Sequence, residues 1–230
     1  MKRIAIITAR GGSKRIPGKN IKPFLGKPIL SYSIEAAISS GVFDEVMVST
    51  DSEEIAAVAK QYGASVPFYR SAKTADDYAT TADVLSEVIE EYEKRGMSFE
   101  TGCCIYPTAP FITAEKLKNA VNMLEESSMD TVFPVVSFSY PPQRGMIIEE
   151  GRLKLREPQY INSRSQDLTP MYHDVGQFYA FRIDSFKKNL DLMRGDIMPM
   201  IMPEMEVQDI DNMSDWKIAE IKYQAMVEKK

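Results

Sequence analysis

The chain has 230 residues, and its 28 lysines and arginines are outnumbered by 33 aspartates and glutamates, which gives a net charge of −5 at neutral pH. This length suits one domain, and an acidic balance argues against a nucleic-acid binder, which needs basic surface along a whole face. No apolar run approaches the length of a signal peptide or a membrane span, so we expect a cytoplasmic protein that does not bind membranes.

The first predicted strand leads into a loop that is rich in glycine and positive charge. Residues 4–7 form an apolar run typical of a buried strand, and eight cations precede the first acidic residue, Glu35. Five of these cations lie in residues 10–22, directly after the strand. Because open α/β sheets bind ligands at the carboxyl ends of their strands, this cationic loop predicts a polyphosphate site. A solvated basic turn is the structural alternative.

Predicted helices and strands then alternate as far as residue 136. The helices span residues 28–40, 52–62, 81–95 and 113–126, and the strands span residues 46–50, 65–69, 102–106 and 131–136. This alternation indicates an α/β fold with a mostly parallel, doubly wound sheet that carries helices on both faces.

The alternation breaks at Ser137. The remaining predicted elements are strands at 143–149, 152–156, 177–182 and 199–202 and an amphipathic helix at 214–227. The first two strands surround Glu150-Gly151, which is typical of a hairpin turn, and a polar stretch follows as far as Asp174. We therefore expect a single domain over residues 1–230, with a β-rich lid or dimerisation insertion at about 137–174.

Two common phosphate motifs do not fit the cationic loop. A Walker A loop has four residues between its glycines and a Ser or Thr after its lysine, whereas five residues separate Gly12 from Gly18 and Asn20 follows Lys19. A dinucleotide fingerprint requires Gly-x-Gly-x-x-Gly, which residues 11–16 do not supply. The missing fingerprint disfavours a nicotinamide-dependent oxidoreductase.

The loop and several later segments resemble the acylneuraminate cytidylyltransferases, enzymes that couple an acidic keto-sugar to CMP. The family's opening motif, Ala-Arg-x-x-Ser-Lys followed after a proline by Lys-Asn, is matched at Arg10, Ser13, Lys14, Lys19 and Asn20. Further matches follow in the family's order, at residues 48–51, 70–81, 106–110 and 209–211. The resemblance implies a Rossmann-like nucleotidyltransferase fold and a CTP-dependent transfer that releases pyrophosphate.

The resemblance also implies which residues bind CTP. The predicted nucleotide-binding residues are Ala9, Arg10, Gly11, Gly12, Ser13, Lys14, Lys19, Asn20, Arg70 and Thr81. Cationic side chains and glycine N–H groups in such a loop suit a triphosphate, and Arg10, Lys14 and Lys19 are also predicted to be catalytic. Arg70 and Thr81 are assigned to the cytosine, with ordinary loop capping as the alternative.

Asp209 and Asp211 are the candidate metal ligands. They lie two residues apart along an extended segment, so both carboxylates are expected to point to the same side. Mg²⁺ prefers one or two carboxylates together with substrate phosphate and water. An Asx turn before the last helix is the alternative, and the family resemblance favours Mg²⁺. Asp211, acting through metal-bound water, is also our first choice for a general base.

The predicted sugar site differs from that of the sialic acid enzymes in the family. Tyr106 replaces a glutamine before the Pro-Thr-x-Pro turn, and His173 replaces the arginine of Arg-Pro-Asn-Gly. In these features the chain is most similar to the pseudaminic acid cytidylyltransferases, whose substrate is a deoxygenated, di-N-acylated relative of sialic acid. The predicted sugar-binding residues are Tyr106, Arg164, His173 and Gln177. Arg164 and Arg144 are the candidates for the sugar carboxylate, with a surface salt bridge as the alternative.

Two alternative functions stay open. The first is the same transfer to another acid, namely N-acetylneuraminic, legionaminic or 3-deoxy-octulosonic acid. The surroundings of Tyr106 and His173 are the features that distinguish these substrates. A non-catalytic nucleotide sensor would keep the cationic loop but would not need Asp209 and Asp211. A symmetric homodimer is the expected assembly, and the resemblance implies that the insertion at 137–174 reaches over the neighbour's sugar site.

Overall fold

Eleven strands, seven α-helices and five short 3₁₀ helices make up the regular structure of residues 1–228, the part of the chain that the computed structural model describes. The strands are β1 (Arg3–Thr8), β2 (Pro23–Phe24), β3 (Lys27–Pro28), β4 (Glu45–Ser49), β5 (Thr101–Ile105), β6 (Thr131–Ser137), β7 (Met146–Glu149), β8 (Arg152–Leu155), β9 (Tyr172–Asp174), β10 (Phe178–Arg182) and β11 (Ile197–Ile201). The helices are α1 (Ile29–Ser40), α2 (Glu53–Gln61), α3 (Ala72–Ala75), α4 (Thr81–Lys94), α5 (Ala114–Glu125), α6 (Ile183–Asn189) and α7 (Met213–Val227). Within residues 1–228, none of the helices has both the length and the apolar character that crossing a membrane requires.

Seven of the strands form one sheet. Its order is β11-β6-β10-β5-β1-β4, and β9 also pairs with β6. β1 is parallel to β4 and β5, and β6 is parallel to β11, whereas β10 runs antiparallel between β5 and β6. β9 is antiparallel to β6, so only β9 and β10 of these strands oppose the common direction. The predicted mostly parallel sheet is confirmed.

Both faces of the sheet are covered by helices. Ala5 and Ile7 of β1 join an apolar core with α1, α2 and α5, whereas Ile4 and Ile6 join a second core with α4 and α6. All four side chains are at most 1% exposed, as expected for a central strand that is buried on both faces. This arrangement confirms the predicted doubly wound fold.

The predicted strand at 65–69 is wrong. Only Ser65 pairs with β4, in a single bridge to Met47. Pro67 has no N–H group, so it cannot continue the hydrogen-bond ladder. The chain instead crosses the end of β4, where the Arg70 N–H donates to the Thr50 carbonyl at 2.8 Å. The short helix α3, which the sequence did not predict, follows directly.

A third apolar cluster joins the cationic loop to the carboxyl-terminal part of the chain. Ile16 from the loop and Ile210, which precedes α7, are buried in this cluster together with Phe24 and Trp216. The rings of Phe24 and Trp216 meet edge to face with their centroids 5.5 Å apart. Because Ile210 is anchored here, its neighbours Asp209 and Asp211 are held beside the cationic loop.

The insertion contains the predicted hairpin but ends earlier than expected. β7 and β8 pair in register around Glu150 and Gly151, which adopt φ angles of 51° and 75°. These positive values are typical of the tight turns that join antiparallel strands. Tyr172–Asp174 was predicted to belong to the insertion, but it returns to the main sheet as β9. Its polar sequence gave no strand signal because all three side chains are exposed.

Candidate functional site

A cleft of about 460 Å³ lies at the carboxyl ends of β1 and β5. Thr8 ends β1, and Tyr106, Pro107 and Thr108 follow β5, so the sheet itself forms the floor of the cleft. The predicted residues that line it are Arg10, Ser13, Lys14, Lys19, Asn20, Arg70, Thr81 and Tyr106. The cleft is therefore at the edge where open α/β sheets bind ligands.

Three predicted nucleotide-binding residues lie outside this lining. The Ala9 N–H donates to the Ser49 carbonyl at 2.9 Å, and the Gly11 N–H donates to Oδ1 of Asp51 at 2.8 Å. A Cβ atom at Gly11 would lie only 3.2 Å from the Cβ of Ser52, so this position requires a close backbone approach. Gly12 has no heavy atom within 4 Å of its would-be Cβ. Ala9 and Gly11 thus fix the path of the loop.

Two of the loop cations share one carboxylate that the sequence did not single out. Arg10 Nη1 donates to Oδ1 of Asp77 at 2.8 Å, and Lys14 Nζ pairs with Oδ2 of the same residue. The hydrogen bonds from Lys14 and Arg10 lower the pKa of Asp77. Asn20 fixes the start of the loop, because its Nδ2 donates to the Arg10 carbonyl at 2.9 Å and its side chain is buried.

Lys19 connects the cleft with the candidate metal ligands. Its Nζ donates to the Ile210 carbonyl at 2.7 Å. Burial lowers the pKa of Lys19, and the negative charges of Asp211 and Asp209 partly oppose that shift. Asp211 also pairs with Arg15, with 2.6 Å between Oδ2 and Nη1. Asp211 therefore faces the cationic loop, whereas Asp209 lines a separate hollow but lies near enough for its charge to act on Lys19.

The residues present are compatible with Mg²⁺. Ile210 is 1% exposed, so its side chain points inward while Asp209 and Asp211 on either side remain accessible. Within residues 1–228, no group of three or more His, Cys, Asp or Glu side chains could hold a metal ion. A pair of carboxylates near a cationic loop suits Mg²⁺, since that ion takes its other oxygen ligands from phosphate and water.

Arg70 is held in place from β4. Its Nη2 donates to the Ser49 carbonyl at 2.9 Å and its Nε to the Ser49 hydroxyl at 3.1 Å, with the residue only 8% exposed. Burial lowers the pKa of Arg70, and the charges of Asp51 and Glu87 oppose the shift. Glu87 on α4 also accepts a hydrogen bond from the Ser71 N–H at 2.7 Å. The sequence gave no signal for Glu87, which is one of several glutamates on that helix.

Thr81 is positioned by a capping box. The Thr80 N–H donates to Oδ2 of Asp83 at 2.8 Å, and the Asp83 N–H donates to the Thr80 hydroxyl at 3.2 Å. This reciprocal pair starts α4 at Thr81. The Thr81 hydroxyl lies 3.2 Å from the Tyr106 hydroxyl across the cleft.

Tyr106 also lines an adjoining hollow of about 310 Å³ that the sequence did not predict. Tyr179 and Leu192 form its apolar wall, and the Tyr179 hydroxyl donates to Oδ2 of Asp174 at 2.7 Å. Burial raises the pKa of Tyr106 and of Tyr179, so both phenols are protonated at neutral pH. The hollow thus combines apolar surface with a few fixed polar groups, which is typical of a small-molecule site.

The other predicted sugar contacts lie outside the cleft. His173 lines a separate hollow with Asp209 and stacks near Phe138, with ring centroids 4.8 Å apart. Gln177 is 1% exposed, and its Nε2 donates to the Glu206 carbonyl at 2.8 Å. Arg164 projects from the insertion and pairs with Asp167 at 2.7 Å. His173 and Arg164 are thus not gathered around the cleft with Tyr106, whereas Gln177 adjoins Tyr106 through its backbone carbonyl, which accepts from the Tyr106 N–H at 2.8 Å.

The other arginine candidate also lies in the insertion. Arg144 Nη1 is 3.5 Å from the Ser165 hydroxyl, and its guanidinium lies 5.7 Å from the centroid of the Tyr140 ring. Neither Arg144 nor Arg164 is part of the cleft lining. The sequence placed both arginines at the sugar because it carries no information on how the insertion is oriented.

Comparison with known proteins gives consistent matches. A profile of the cytidylyltransferase family matches residues 4–194. The pseudaminic acid cytidylyltransferase of Campylobacter jejuni is 41% identical over 224 residues, which cover 97% of this chain and 97% of that protein. The CMP-N,N'-diacetyllegionaminic acid synthase of Legionella pneumophila is 33% identical over 241 residues, which cover 99% of this chain and 100% of that protein.

A solved structure supports the fold. The CMP:2-keto-3-deoxy-manno-octonic acid synthetase complexed with CTP has a TM-score of 0.72 and 17% identity, over 99% of this chain and 100% of that chain. The sequence matches confirm the resemblance to the acylneuraminate cytidylyltransferases that the motifs had indicated. Because the family profile spans most of the chain and the relatives align along nearly their whole length, the chain belongs to the cytidylyltransferase family.

Proposed function

We propose that this protein transfers the CMP group of CTP to the anomeric hydroxyl of a nonulosonic acid, with pseudaminic acid as the preferred sugar, and releases pyrophosphate. The observation that carries the proposal is the cleft in which the loop cations, Arg70 and Thr81 meet Tyr106. The relative from Campylobacter jejuni, named for this reaction and 41% identical, supports the choice of sugar. The reaction would take place in the cytoplasm, where CTP is supplied.

The nucleotide would lie along the cationic loop. Arg10, Lys14 and Lys19 would hold the triphosphate through charge-assisted hydrogen bonds, which are stronger than neutral ones. Arg70 and Thr81 would meet the cytosine, since the Ser49 contacts and the α4 cap fix both side chains before substrate binds. Fixed donors of this kind need little rearrangement when charge develops in the transition state.

The chemistry would depend on positioning and charge neutralisation. The sugar's anomeric oxygen attacks the α-phosphorus of CTP, and the bond from that phosphorus to the pyrophosphate oxygen breaks. Lys19 and Arg10 would stabilise the negative charge that builds up on the leaving pyrophosphate. Asp209 and Asp211 would hold Mg²⁺, whose chemistry is to neutralise charge on the triphosphate. Asp211 is the candidate to accept the proton from the sugar hydroxyl.

The sugar would occupy the hollow between Tyr106 and Leu192, directly beside the nucleotide cleft. Thr80, Thr81 and Tyr106 line both spaces, so a sugar placed there would adjoin the phosphates. The aromatic and aliphatic wall suits a deoxygenated, N-acylated sugar better than one rich in hydroxyls. Asp174 and Tyr179 would provide the fixed polar contacts.

A panel of sugars tests the proposal by pyrophosphate release from CTP. We expect kcat/KM for pseudaminic acid to exceed that for N-acetylneuraminic acid by about a hundredfold, because apolar pockets reject added hydroxyls only to that extent. Tyr106→Gln should narrow the preference, whereas Tyr106→Phe, which keeps the ring, should preserve it. Equal turnover of both sugars would overturn the sugar assignment, and no turnover of any nonulosonic acid would overturn the reaction.

We also propose that two copies of the chain assemble through the insertion at about 137–174. Its hairpin exposes large apolar side chains, including Met146 at 57%, Ile148 at 76% and Leu153 at 65%. An isolated two-stranded ribbon is marginally stable, so these side chains would gain from a partner surface. In a symmetric dimer, Arg164 would meet the sugar site of the partner rather than its own.

Light scattering at the assay concentration should therefore give twice the 26.0 kDa mass of one chain. Ile148→Glu should weaken the dimer and lower activity together, whereas Ile221→Glu, another exposed apolar position but on α7, should change neither. A fully active monomer in the wild type would contradict the proposal.

A further inference from the structure

Asp77 holds the cations that the proposed function assigns to the triphosphate. Its two carboxylate oxygens pair with Arg10 and Lys14, and Arg10 Nη1 also donates to the Asp76 carbonyl at 3.1 Å. A polyphosphate that binds to Arg10 and Lys14 competes with this carboxylate for their charge and their N–H donors. The segment at residues 71–80, which contains α3 and carries Asp77, therefore places a carboxylate where a polyphosphate would bind.

Both ends of this segment are anchored. Glu87 accepts hydrogen bonds from the N–H and the hydroxyl of Ser71, each at 2.7 Å, at the first end. The Thr80–Asp83 capping box holds the other end at the start of α4. Arg70 and Thr81, the flanking residues, are therefore fixed whether or not the centre of the segment moves.

The centre of the segment is exposed and held by polar contacts. Tyr78 is 91% exposed, and the Asp76 carboxylate folds the backbone locally by accepting from the N–H groups of Tyr78 at 2.9 Å and Ala79 at 2.7 Å. The Asp77 side chain is 41% exposed and its partner Lys14 is 78% exposed. Ion pairs at such sites are weak, so phosphate oxygens can displace Asp77.

We propose that Asp77 is an intramolecular competitor for polyphosphate, which lowers the affinity of the site for CTP and pyrophosphate but leaves its affinity for the nucleoside unchanged. This inference rests on the proposed function, because it requires that Arg10 and Lys14 bind the triphosphate. If Asp77 holds the cations in roughly 90% of molecules, the apparent affinity for any ligand that needs them falls about tenfold. Cytidine carries no phosphate and does not need them.

The competition has a consequence for the end of the reaction. Pyrophosphate is the product that would keep Arg10 and Lys14 engaged after CMP has been transferred. Asp77 can return to these cations as pyrophosphate leaves, which shortens the time for which the product is held. Asp77 thus sets how strongly the site retains polyphosphates relative to the rest of the nucleotide.

Isothermal titration calorimetry with CTP, pyrophosphate and cytidine tests the proposal. Asp77→Asn should bind CTP and pyrophosphate about three to ten times more tightly than the wild type, with cytidine affinity changed less than twofold. Asp77→Glu should restore weaker polyphosphate binding. Glu90→Gln, which removes one negative charge from an exposed position on α4, should bind all three ligands as the wild type does.

The outcomes separate the two proposals. Unchanged or weaker CTP binding by folded Asp77→Asn, with a wild type that binds and turns over CTP, would overturn the competitor role alone. Equal tightening for cytidine would also overturn it, because a general rearrangement of the site would then be the cause. A wild type that binds neither CTP nor pyrophosphate would overturn the proposed function and this inference with it.

Discussion

Replacing Lys19 with alanine is expected to lower kcat/KM by about a hundredfold or more, since losing a preorganised charge contact in a transition state costs about 3 kcal/mol. Lys19 lines the cleft and is held by the Ile210 carbonyl at 2.7 Å, so its charge is aimed before substrate arrives. Steady-state rates with CTP and the preferred sugar measure the loss. Arg10→Ala should give a loss of the same order.

Lys22→Ala is the matched control for this experiment. Lys22 belongs to the same cationic loop but lies 6.0 Å from the centroid of the Trp216 ring and outside the cleft lining, so its removal should leave kcat/KM nearly unchanged. Activity of Lys19→Ala within a few fold of the wild type, in folded protein, would remove Lys19 from the mechanism.

The pH dependence of kcat/KM gives a second test of the charge on Lys19. Burial lowers the pKa of Lys19, so its positive charge is lost as pH rises through that lowered value. The kcat/KM of the wild type should therefore decline at alkaline pH. Lys19→Arg, whose guanidinium stays charged, should lack this decline even if its activity at neutral pH is reduced.

The sheet and its helices could be predicted because their signals are local. The apolar run at 4–7 reflects the burial of β1 in both cores, and the helical spacing in 81–95 reflects the burial of one face of α4 in the second core. Ser65 to Tyr69 misled the prediction because an apolar residue before Pro67 resembles a strand, while pairing depends on an N–H group that proline lacks. The strand at Tyr172–Asp174 was missed for the opposite reason, since an exposed edge strand needs no apolar pattern.

The same distinction applies to the candidate site: residues with a local sequence signal could be predicted, and residues that only the tertiary fold brings together could not. Arg10, Lys14 and Lys19 could be found because they are crowded into one loop, and the structure gathers them around one cleft. Asp77 and Glu87 could not, because their partners lie 67 and 16 residues away along the chain and only the tertiary fold brings them into contact. Arg164 could be named as a candidate sugar ligand, but the sequence carries no information on the orientation of the insertion.

The second large effect is expected at the candidate metal ligands. Asp211→Asn should leave the fold intact and lower turnover by about a hundredfold or more, because the amide no longer offers a charged oxygen ligand to Mg²⁺. The ion pair with Arg15 is also lost, but side chains that are 39% and 68% exposed contribute little to stability when paired. Circular dichroism should therefore be unchanged, and excess EDTA should silence the wild type.

Loss of activity in Asp211→Asn has two possible origins, which the Mg²⁺ dependence separates. If Asp211 is a ligand, the Mg²⁺ concentration needed for half-maximal activity should rise in Asp211→Asn and in Asp209→Asn. Arg15→Gln removes the same ion pair while keeping both carboxylates, so its Mg²⁺ dependence should match the wild type whatever its rate. An equal shift in Arg15→Gln would show that Asp211 acts by holding Arg15 and not by holding a metal ion. Full wild-type activity in EDTA would show that the reaction needs no metal ion.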